Sequence, residues 1–576
     1  MAIVLGISAY FHDSSACIVV DGSLCAAVCE ERFTRKKHDA SLPENAIRYC
    51  LEAAQCSMED VDAVVFHEKP FTKFERILDT LLKRAPAGFR PFSKALDNWL
   101  REKFWVEDAF RRKFPFKGTF NFAQHHLSHA ATAAYSSGFD TAAIVIIDGV
   151  GERACTTIGR FENGRISLLK EQRFPHSIGL LYSAFTQYCG FKVNSGEYKL
   201  MGLASYGEPR FCDLIYQHLV VQNLDGTIQL NLKHFAFLDD LKMIRSSFGE
   251  VLGRAPRAEN DPMSPFYMDM AASIQKVCEE LVMCVLRHAH GITGATKLIY
   301  GGGVALNCVA NARILAETSF DEVFIHSASG DSGCAMGAAL WHAASLEDVK
   351  SSENSEFLGP AFDVHTIREA LNAAELKAQE IADLELFPRV AELLSKGAVT
   401  GWFQGRMEFG PRALGNRSIL ANPAIKDMKT TLNRKIKKRE GFRPFAPVIL
   451  DAEFERFFVD QGNDYSRMLY VTPATAEAQI IPSCIHEDNS ARVQRLKEEF
   501  NPRLHALLNE FRYQTGLPVL INTSFNERGE PMVNTPEDAI HCFLNTEMDV
   551  LVMGNFLVLK EDNRQVQFIP RTYAMD

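Results

Sequence analysis

The chain has no run of 18 or more apolar residues, no basic segment ahead of an apolar one near its start, and no C-x-x-C pair among its 14 cysteines. The first two absences lead us to expect a soluble, cytoplasmic protein with no membrane partner. The third bears on the redox state of the cysteines. With Cys17 and Cys308 inside apolar or small-residue segments, it predicts reduced thiols. Positive charge is also scarce: 62 Lys and Arg face 72 Asp and Glu, a net charge of -10 and a pI near 6.0. A surface that neutralises many nucleic-acid phosphates needs the opposite balance, so no nucleic-acid partner is expected. The histidine pair of the chain lacks the H-E-x-x-H glutamate, which disfavours a zinc protease.

What is there is a globular composition, 47% hydrophobic and 23% charged, in 576 residues. That length exceeds what one core supports, so two or three domains are expected. Residues 3–31 and 143–172 share a layout: apolar strand, polar turn, strand, Asp-Gly or Asn-Gly turn, strand. A shared layout at this distance predicts a duplicated unit, of the kind that presents two phosphate loops to the cleft of actin-like ATPases. Residues 70–120, rich in Phe, Lys and Arg, read as amphipathic helices over the first unit. The polar stretch Ser345–Phe362 ends in Gly-Pro and divides a domain of residues 1–350 from one of 360–576. The second has its own strands, in "GAVTGWFQ" and "VLVMGNFLVLK", and reads as an independent α/β unit.

Several constellations carry chemistry. In "FAQHHLSHAATAAYSS", His125 and His129 are four apart, share one helical face and can grip a single ion, while His126 points elsewhere. Asp148 closes an apolar strand and Asp331 follows "EVFIHSASGD", both at strand ends, where open sheets collect ligands. Two imidazoles with one or two carboxylates suit iron(II), manganese or zinc. A hydrogen-bonded helix face for the histidines and turn or cap roles for the aspartates remain alternatives. "YGGGVALN" follows an apolar strand and precedes a helical run, so Gly301, Gly302 and Gly303 let the backbone approach a nucleotide. Glu197 and Lys199 lie near another glycine loop, "SGEYKLMGLASYG". His12, in the first hairpin's turn beside Asp13, is a candidate general base. In the second domain Arg412, Lys437, Arg439, Arg443, Arg492, Asn522 and Ser524 sit among glycines, prolines and aromatics, an arrangement suited to a small anionic pocket.

The motifs "GISAYFHDSSA", "EERFTRKKHD", "HHLSHA", "DGVGE", "GEYKLMGLASYGEP", "GGGVALN", "SGDSGCAMGAAL", "FGPRALGNRSILA", "REGFRPFAPVI" and "INTSFNERGEP", in that order, resemble the O-carbamoyltransferases of natural-product biosynthesis, which act in cephamycin, tobramycin and nodulation-factor pathways. The resemblance covers nearly the whole chain. It implies an α/β protein with an N-terminal duplicated actin-like ATPase (ribonuclease-H-like) domain and a C-terminal domain similar to threonylcarbamoyl-adenylate synthases. The C-terminal domain would form carbamoyl-adenylate from carbamoyl phosphate and ATP, accompanied by Mg2+. The N-terminal domain would pass the carbamoyl group to a hydroxyl of a small natural product. Carried onto this sequence, the resemblance implies an ion, foremost iron(II), on His125, His129, Asp148 and Asp331, and His12 as base. It assigns Arg412, Lys437, Arg443, Arg492, Asn522 and Ser524 to carbamoyl phosphate and ATP. Glu197, Lys199, Gly302, Gly303 and Asn307 would hold the adenylate. Lys438 leaves the choice of lysine open, and "HEDNSARVQ" departs from the Gly-Thr expected before the arginine. A homodimer is compatible with this picture. Two other readings stand beside it: an actin-like metabolite kinase or ATPase, which would yield ADP rather than AMP and pyrophosphate, and a tRNA threonylcarbamoylation-type protein, which would bind tRNA in a salt-dependent way.

Overall fold

The computed structural model describes residues 2–350, 356–566, 568, 571 and 573; of the expected boundary segment Ser345–Phe362, residues 351–355 lie outside the described residues. The fold is mixed α/β and divides into two compact units. Unit 1 is Met1–Glu30 with His38–Glu353, and unit 2 is Glu31–Lys37 with Asn354–Asp576.

Unit 1 holds two five-stranded sheets. The first contains β1 (Ile3–Ser8), β2 (Ser15–Val20), β3 (Ser23–Cys29), β4 (Ala63–Phe66) and β5 (Thr119–Phe122), in the order β3-β2-β1-β4-β5. The second contains β6 (Thr141–Ile147), β7 (Ala154–Glu162), β8 (Arg165–Arg173), β11 (Lys297–Gly301) and β12 (Glu322–Phe324), in the order β12-β11-β6-β7-β8. Between β8 and β11 in sequence come the two short strands β9 (Val220–Gln222) and β10 (Ile228–Leu230), which pair with each other. In each large sheet the first three strands form an antiparallel meander and the last two add in parallel to the first strand's other side. The sequence dictates this locally. Asp21-Gly22 and Asn163-Gly164 adopt positive φ at both residues, the conformation that a tight hairpin between twisted strands requires. β1 and β6 are apolar along nearly their whole length because helices cover their faces. The helix Cys334–Leu346 packs on β1, and the alanine-rich helix His125–Ala134 packs on it in turn. The expected amphipathic helices over 70–120 are Pro70–Arg84, Phe89–Arg101 and Val106–Lys113.

Unit 2 is built on an eight-stranded sheet of mixed sense. Its strands are β13 (Ala378–Glu380), β14 (Thr400–Phe403), β15 (Arg417–Ala421), β16 (Ala446–Leu450), β19 (Gln494–Leu496), β20 (Val519–Ser524), β21 (Val550–Met553) and β22 (Phe556–Leu559). The pair β17 (Val471–Pro473) and β18 (Ser490–Arg492) stands apart. The segment Glu31–Lys37 belongs to this unit through Arg35, which donates to the Glu530 carboxylate at 2.9 Å and to the carbonyls of Pro531 and Met532 at 2.8 and 2.9 Å.

Candidate active site

The helix His125–Ala134 forms because alanine fills it, and it is buried almost all round. Its first turn is held by Glu152, whose Oε1 accepts from the backbone N–H groups of His125 and Lys69, each at 2.9 Å. A carboxylate there satisfies a free helical N–H and complements the helix dipole. The chain from Asp148 to Glu152 passes so close to the helix that a Cβ on Gly151 would meet the His125 ring at 3.0 Å and the His126 ring at 3.2 Å, a tight approach that the imidazoles would have to yield to.

On that helix the Nε2 atoms of His125 and His129 face each other at 3.1 Å. Asp148, directly after β6, brings Oδ2 to 3.4 Å from His125 Nε2. Asp331 brings Oδ1 to 3.6 Å from His125 Nε2 and 3.4 Å from His129 Nε2. All four side chains are buried. Donor atoms that share one ion at ~2.1 Å stand about 3.0–3.4 Å apart, so His125, His129 and Asp331 lie near the spacing of one ion's ligands, with Asp148 beside His125. Asp331 was expected at a strand end; it instead opens the 3-10 turn Asp331–Gly333 that leads into the helix Cys334–Leu346. That register brings the Cys334 thiol to the same cluster, a residue the motif reading passed over although it lies three after Asp331, one helical turn on. Burial, then the charges of Asp331 and Asp148, push this thiol well up, which keeps it protonated. Burial opposes the charge on His125, but Asp331 and Asp148 overcome it and raise its pKa well above the usual range. Both aspartates are held low against the cost of burial by the facing imidazoles. His126 turns away, as its spacing requires, and bonds Thr157 Oγ1 at 2.6 Å; burial lowers it to about 3, so it stays neutral.

His12 joins the cluster from the first hairpin's turn, with Nε2 3.6 Å from Asp331 Oδ2. Its Nδ1 lies 2.9 Å from Asp13 Oδ2, and the other oxygen of Asp13 takes His38 Nδ1 at 2.7 Å. Asp13 thereby fixes the Nδ1–H tautomer and leaves Nε2 directed at the cluster. Burial lowers His12, but Asp331, the Asp13 bond and Asp148 outweigh it, and it is raised to about 9. Glu68 and His67 form a second buried group beside His125, with Lys73 Nζ 2.5 Å from Glu68.

The glycine loop reaches the same place but uses its amides inwardly. Gly302 N–H donates to the Ser329 carbonyl at 3.0 Å, and Gly303 N–H to Asp148 Oδ1 at 3.1 Å. Gly302 has φ of 89°, and a Cβ there would lie 2.3 Å from the Ile147 carbonyl. What the loop provides is therefore close packing against the carboxylate, not free N–H groups for phosphate. Asn307 caps the helix Cys308–Asn311 and pairs both amide atoms with Gln275 at 3.0 and 3.1 Å. Glu197 accepts from Ser183 Oγ at 2.7 Å and from the Asn194 amide at 3.1 Å. Lys199 is buried in the helix Glu197–Ala204. Gln275, Ser183 and Asn194, which bond Asn307 and Glu197 in this way, are none of them members of the His/Asp cluster.

In unit 2 a second constellation forms at β20. Lys437 follows a π-helical turn, Leu432–Ile436, and is buried. Its Nζ lies 2.5 Å from the Ser524 carbonyl, 3.3 Å from Ser524 Oγ, and 2.9 and 2.7 Å from the carbonyl and side-chain oxygens of Asn526. Burial, then Arg439 and Arg443, lower its pKa well below the usual value. Lys438 instead bonds the buried carboxylate of Glu527 at 3.0 Å. Asn522, fully buried on β20, donates Nδ2 to the Ala413 carbonyl, next to Arg412, at 3.2 Å and to Gln494, two after Arg492, at 2.7 Å. The Ala413 carbonyl can only accept, which fixes the amide's orientation and leaves Asn522 Oδ1 buried with no hydrogen-bond partner. Arg443 approaches Glu440 at 3.7 Å, and its carbonyl accepts from Asn433 at 3.0 Å. Arg492 ends β18.

With this geometry in place, comparison with known proteins identifies the class. Residues 3–340 match the family model "Carbamoyltransferase N-terminus" and residues 391–560 match "Carbamoyltransferase C-terminus". The chain belongs to the carbamoyltransferase family and is an enzyme of carbamoyl transfer. It is 45% identical to an uncharacterized protein, sll1178, of Synechocystis over 97% of both chains. It is 35% identical to nodulation protein NolNO of Sinorhizobium fredii, over 96% of this chain and 79% of that one. It is also 35% identical to the 3'-hydroxymethylcephem-O-carbamoyltransferase of Amycolatopsis lactamdurans, over 45% of this chain and 48% of that one. Among the described residues, no helix is long and apolar enough to cross a membrane.

Proposed function

We propose that the chain is an ATP-dependent O-carbamoyltransferase that charges the carbamoyl group onto AMP in unit 2 and transfers it to a small-molecule hydroxyl in unit 1. The reading rests above all on one observation: two imidazoles and the Asp331 carboxylate converge within one ion's reach, Asp148 reaches His125, and His12 Nε2 faces Asp331. The matching strand orders of the two five-stranded sheets support a duplicated actin-like ATPase layout for unit 1.

In unit 2, carbamoyl phosphate, ATP and one water become carbamoyl-adenylate, phosphate and pyrophosphate. Lys437 and the arginines 412, 443 and 492 offset phosphate charge, the arginines as planar forks. Asn522 Oδ1, an acceptor with nothing to accept, suits the N–H of a carbamoyl group, and Ser524 lies at the same strand end. Mg2+ accompanies ATP in this reading.

In unit 1, His125, His129, Asp148 and Asp331 hold a divalent ion, with iron(II) the first choice for a donor set of this kind. When bound, the ion supplies positive charge that offsets the two aspartates and polarises the carbamoyl carbonyl. Burial opposes the charge on His12 while Asp331, Asp13 and Asp148 favour it, so a cation that offsets Asp331 and Asp148 shifts the balance toward a neutral imidazole able to act as base. It then takes the acceptor's hydroxyl proton at Nε2; the hydroxyl oxygen bonds to the carbamoyl carbon, and the bond to the AMP phosphate oxygen breaks. Glu152 and Asp13 keep the helix and the imidazole in register. The test is to incubate the protein with carbamoyl phosphate and ATP and measure AMP and pyrophosphate. His12→Ala is expected to cut carbamoyl transfer about 10²–10⁴-fold while leaving carbamoyl-adenylate formation intact. Release of ADP in place of AMP, or equal loss of both steps in the variant, would overturn the reading.

A further inference from the structure

Beside His12 lies a group of residues that neither the ion cluster nor the catalytic proton transfer uses. Helices Pro70–Arg84 and Phe89–Arg101 and the turn Lys103–Trp105 are zipped together by aromatic contacts. Phe104 stacks on Phe71 at 5.3 Å and meets Phe74 at 4.8 Å and Trp99 at 5.4 Å. This packing fixes the short turn and aims Lys103 at Phe11, with Nζ 5.2 Å from the Trp99 ring and 5.9 Å from the Phe11 ring. Phe11 in turn lies 4.3 Å from the His12 ring, yet is 45% exposed. An apolar ring left open to solvent next to a reacting imidazole is a platform for something that arrives from outside.

The charges around that platform are unequal. Lys73, 4.8 Å from the same ring, is buried and paired with Glu68. Lys103 has no carboxylate within ion-pair distance among the described residues. Burial, and then the neighbouring charge of Lys73, lower its pKa to about 8. A half-buried ammonium next to another cation, resting on aromatic rings, is stabilised by an anion that enters from solvent. The platform also flanks the ion cluster on a particular side. Gly303 occupies the Asp148 side through its amide, whereas His12 and Phe11 approach by way of Asp331. Phe11 is thus linked to the cluster through His12 and Asp331, and the glycine loop through Asp148.

We propose that Phe11 and Lys103 form the acceptor subsite, and that the acceptor carries an anionic group, carboxylate or phosphate, close to the hydroxyl that receives the carbamoyl group. This deepens, and rests on, the O-carbamoyl transfer reading. Lys103 is here a specificity-determining residue: it selects and orients the acceptor and takes no part in proton transfer.

The competing source of anionic charge is the phosphate of AMP, and the experiment separates the two. The full-length protein is labelled with acetic anhydride at pH 8, and acetylation of Lys103 is followed by peptide mass spectrometry in the presence of glycerol 3-phosphate, glycerate, glycerol or AMP. Glycerol 3-phosphate or glycerate is expected to slow Lys103 labelling at least threefold, and glycerol and AMP to leave it unchanged. In parallel, Lys103→Glu is expected to lower kcat/KM for an anionic acceptor at least tenfold more than for a neutral one, Lys103→Arg to retain it, and carbamoyl-adenylate formation to be equal in all three proteins. Protection by AMP alone, protection by neither anion, or an equal loss with neutral and anionic acceptors overturns the proposal. If carbamoyl-adenylate never forms, the transfer reading falls by itself, and the labelling still decides whether Lys103 faces an anion subsite.

Discussion

The two constellations have opposite deficits. In unit 1, lone pairs are gathered: two imidazole nitrogens 3.1 Å apart and two carboxylates that approach them at 3.4–3.6 Å. In unit 2, positive charge is gathered: Lys437 is driven down by burial and by Arg439 and Arg443. A cation would offset the first and an anion the second, and the proposed metal and phosphate roles rest on that contrast. Each is built from groups that are costly to bury alone.

The sharpest way to break this contrast is to remove charge from one site at a time. Asp331→Asn keeps the shape of the side chain but removes a carboxylate from the cluster; transfer is expected to fall at least ~10³-fold, and bound metal, read by elemental analysis, to be lost, with adenylate formation unchanged. Metal retained at full stoichiometry would argue against the cluster as the ion site. The converse change is Asn522→Ala. It is expected to raise the KM for carbamoyl phosphate about tenfold to a hundredfold, roughly 1.4–2.8 kcal/mol, while metal content stays constant. An unchanged KM would leave Asn522 as a strand-bridging amide only. The smallest effect concerns protons. The depressed pKa of Lys437 means that in the free protein the ammonium is lost at a pH below its usual value. An anion raises it again, so carbamoyl phosphate affinity is expected to fall as pH rises through the depressed value, with up to about one proton taken up per anion bound. Calorimetry in two buffers of different ionisation enthalpy reads that uptake, and zero uptake across the range would remove Lys437 from the anion site.

How far the sequence reaches differs between the two sites for a physical reason. His125 and His129 are legible because helical period puts i and i+4 on one face, and the hairpin turns are legible because Asp-Gly and Asn-Gly favour positive φ. Asp148 is legible as the end of an apolar strand. That Asp331 and His12 reach the same point is not local information; it follows from how two sheets and the helix Cys334–Leu346 pack. Cys334 and Glu152 escaped, and Asp13 was placed beside His12 without its role, for a related cause, since each acts through a contact with no period of its own. The glycine loop was read as a row of free amides, but two of them are used by Ser329 and Asp148, a competition that composition cannot display. In unit 2 the residue types were visible, whereas the choice between Lys437 and Lys438 depends on burial after a π-helical turn.

The short segment Glu31–Lys37 carries a practical lesson. It is numbered with one unit and folds with the other, and Arg35 is anchored there by Glu530, Pro531 and Met532. Cutting the gene at the polar stretch near residue 350 would therefore give a first fragment with a guanidinium torn from its acceptors and a second with a buried acid stripped of its counter-ion. Dissecting this enzyme into halves calls for grafting those seven residues onto the C-terminal piece, not for a single cut.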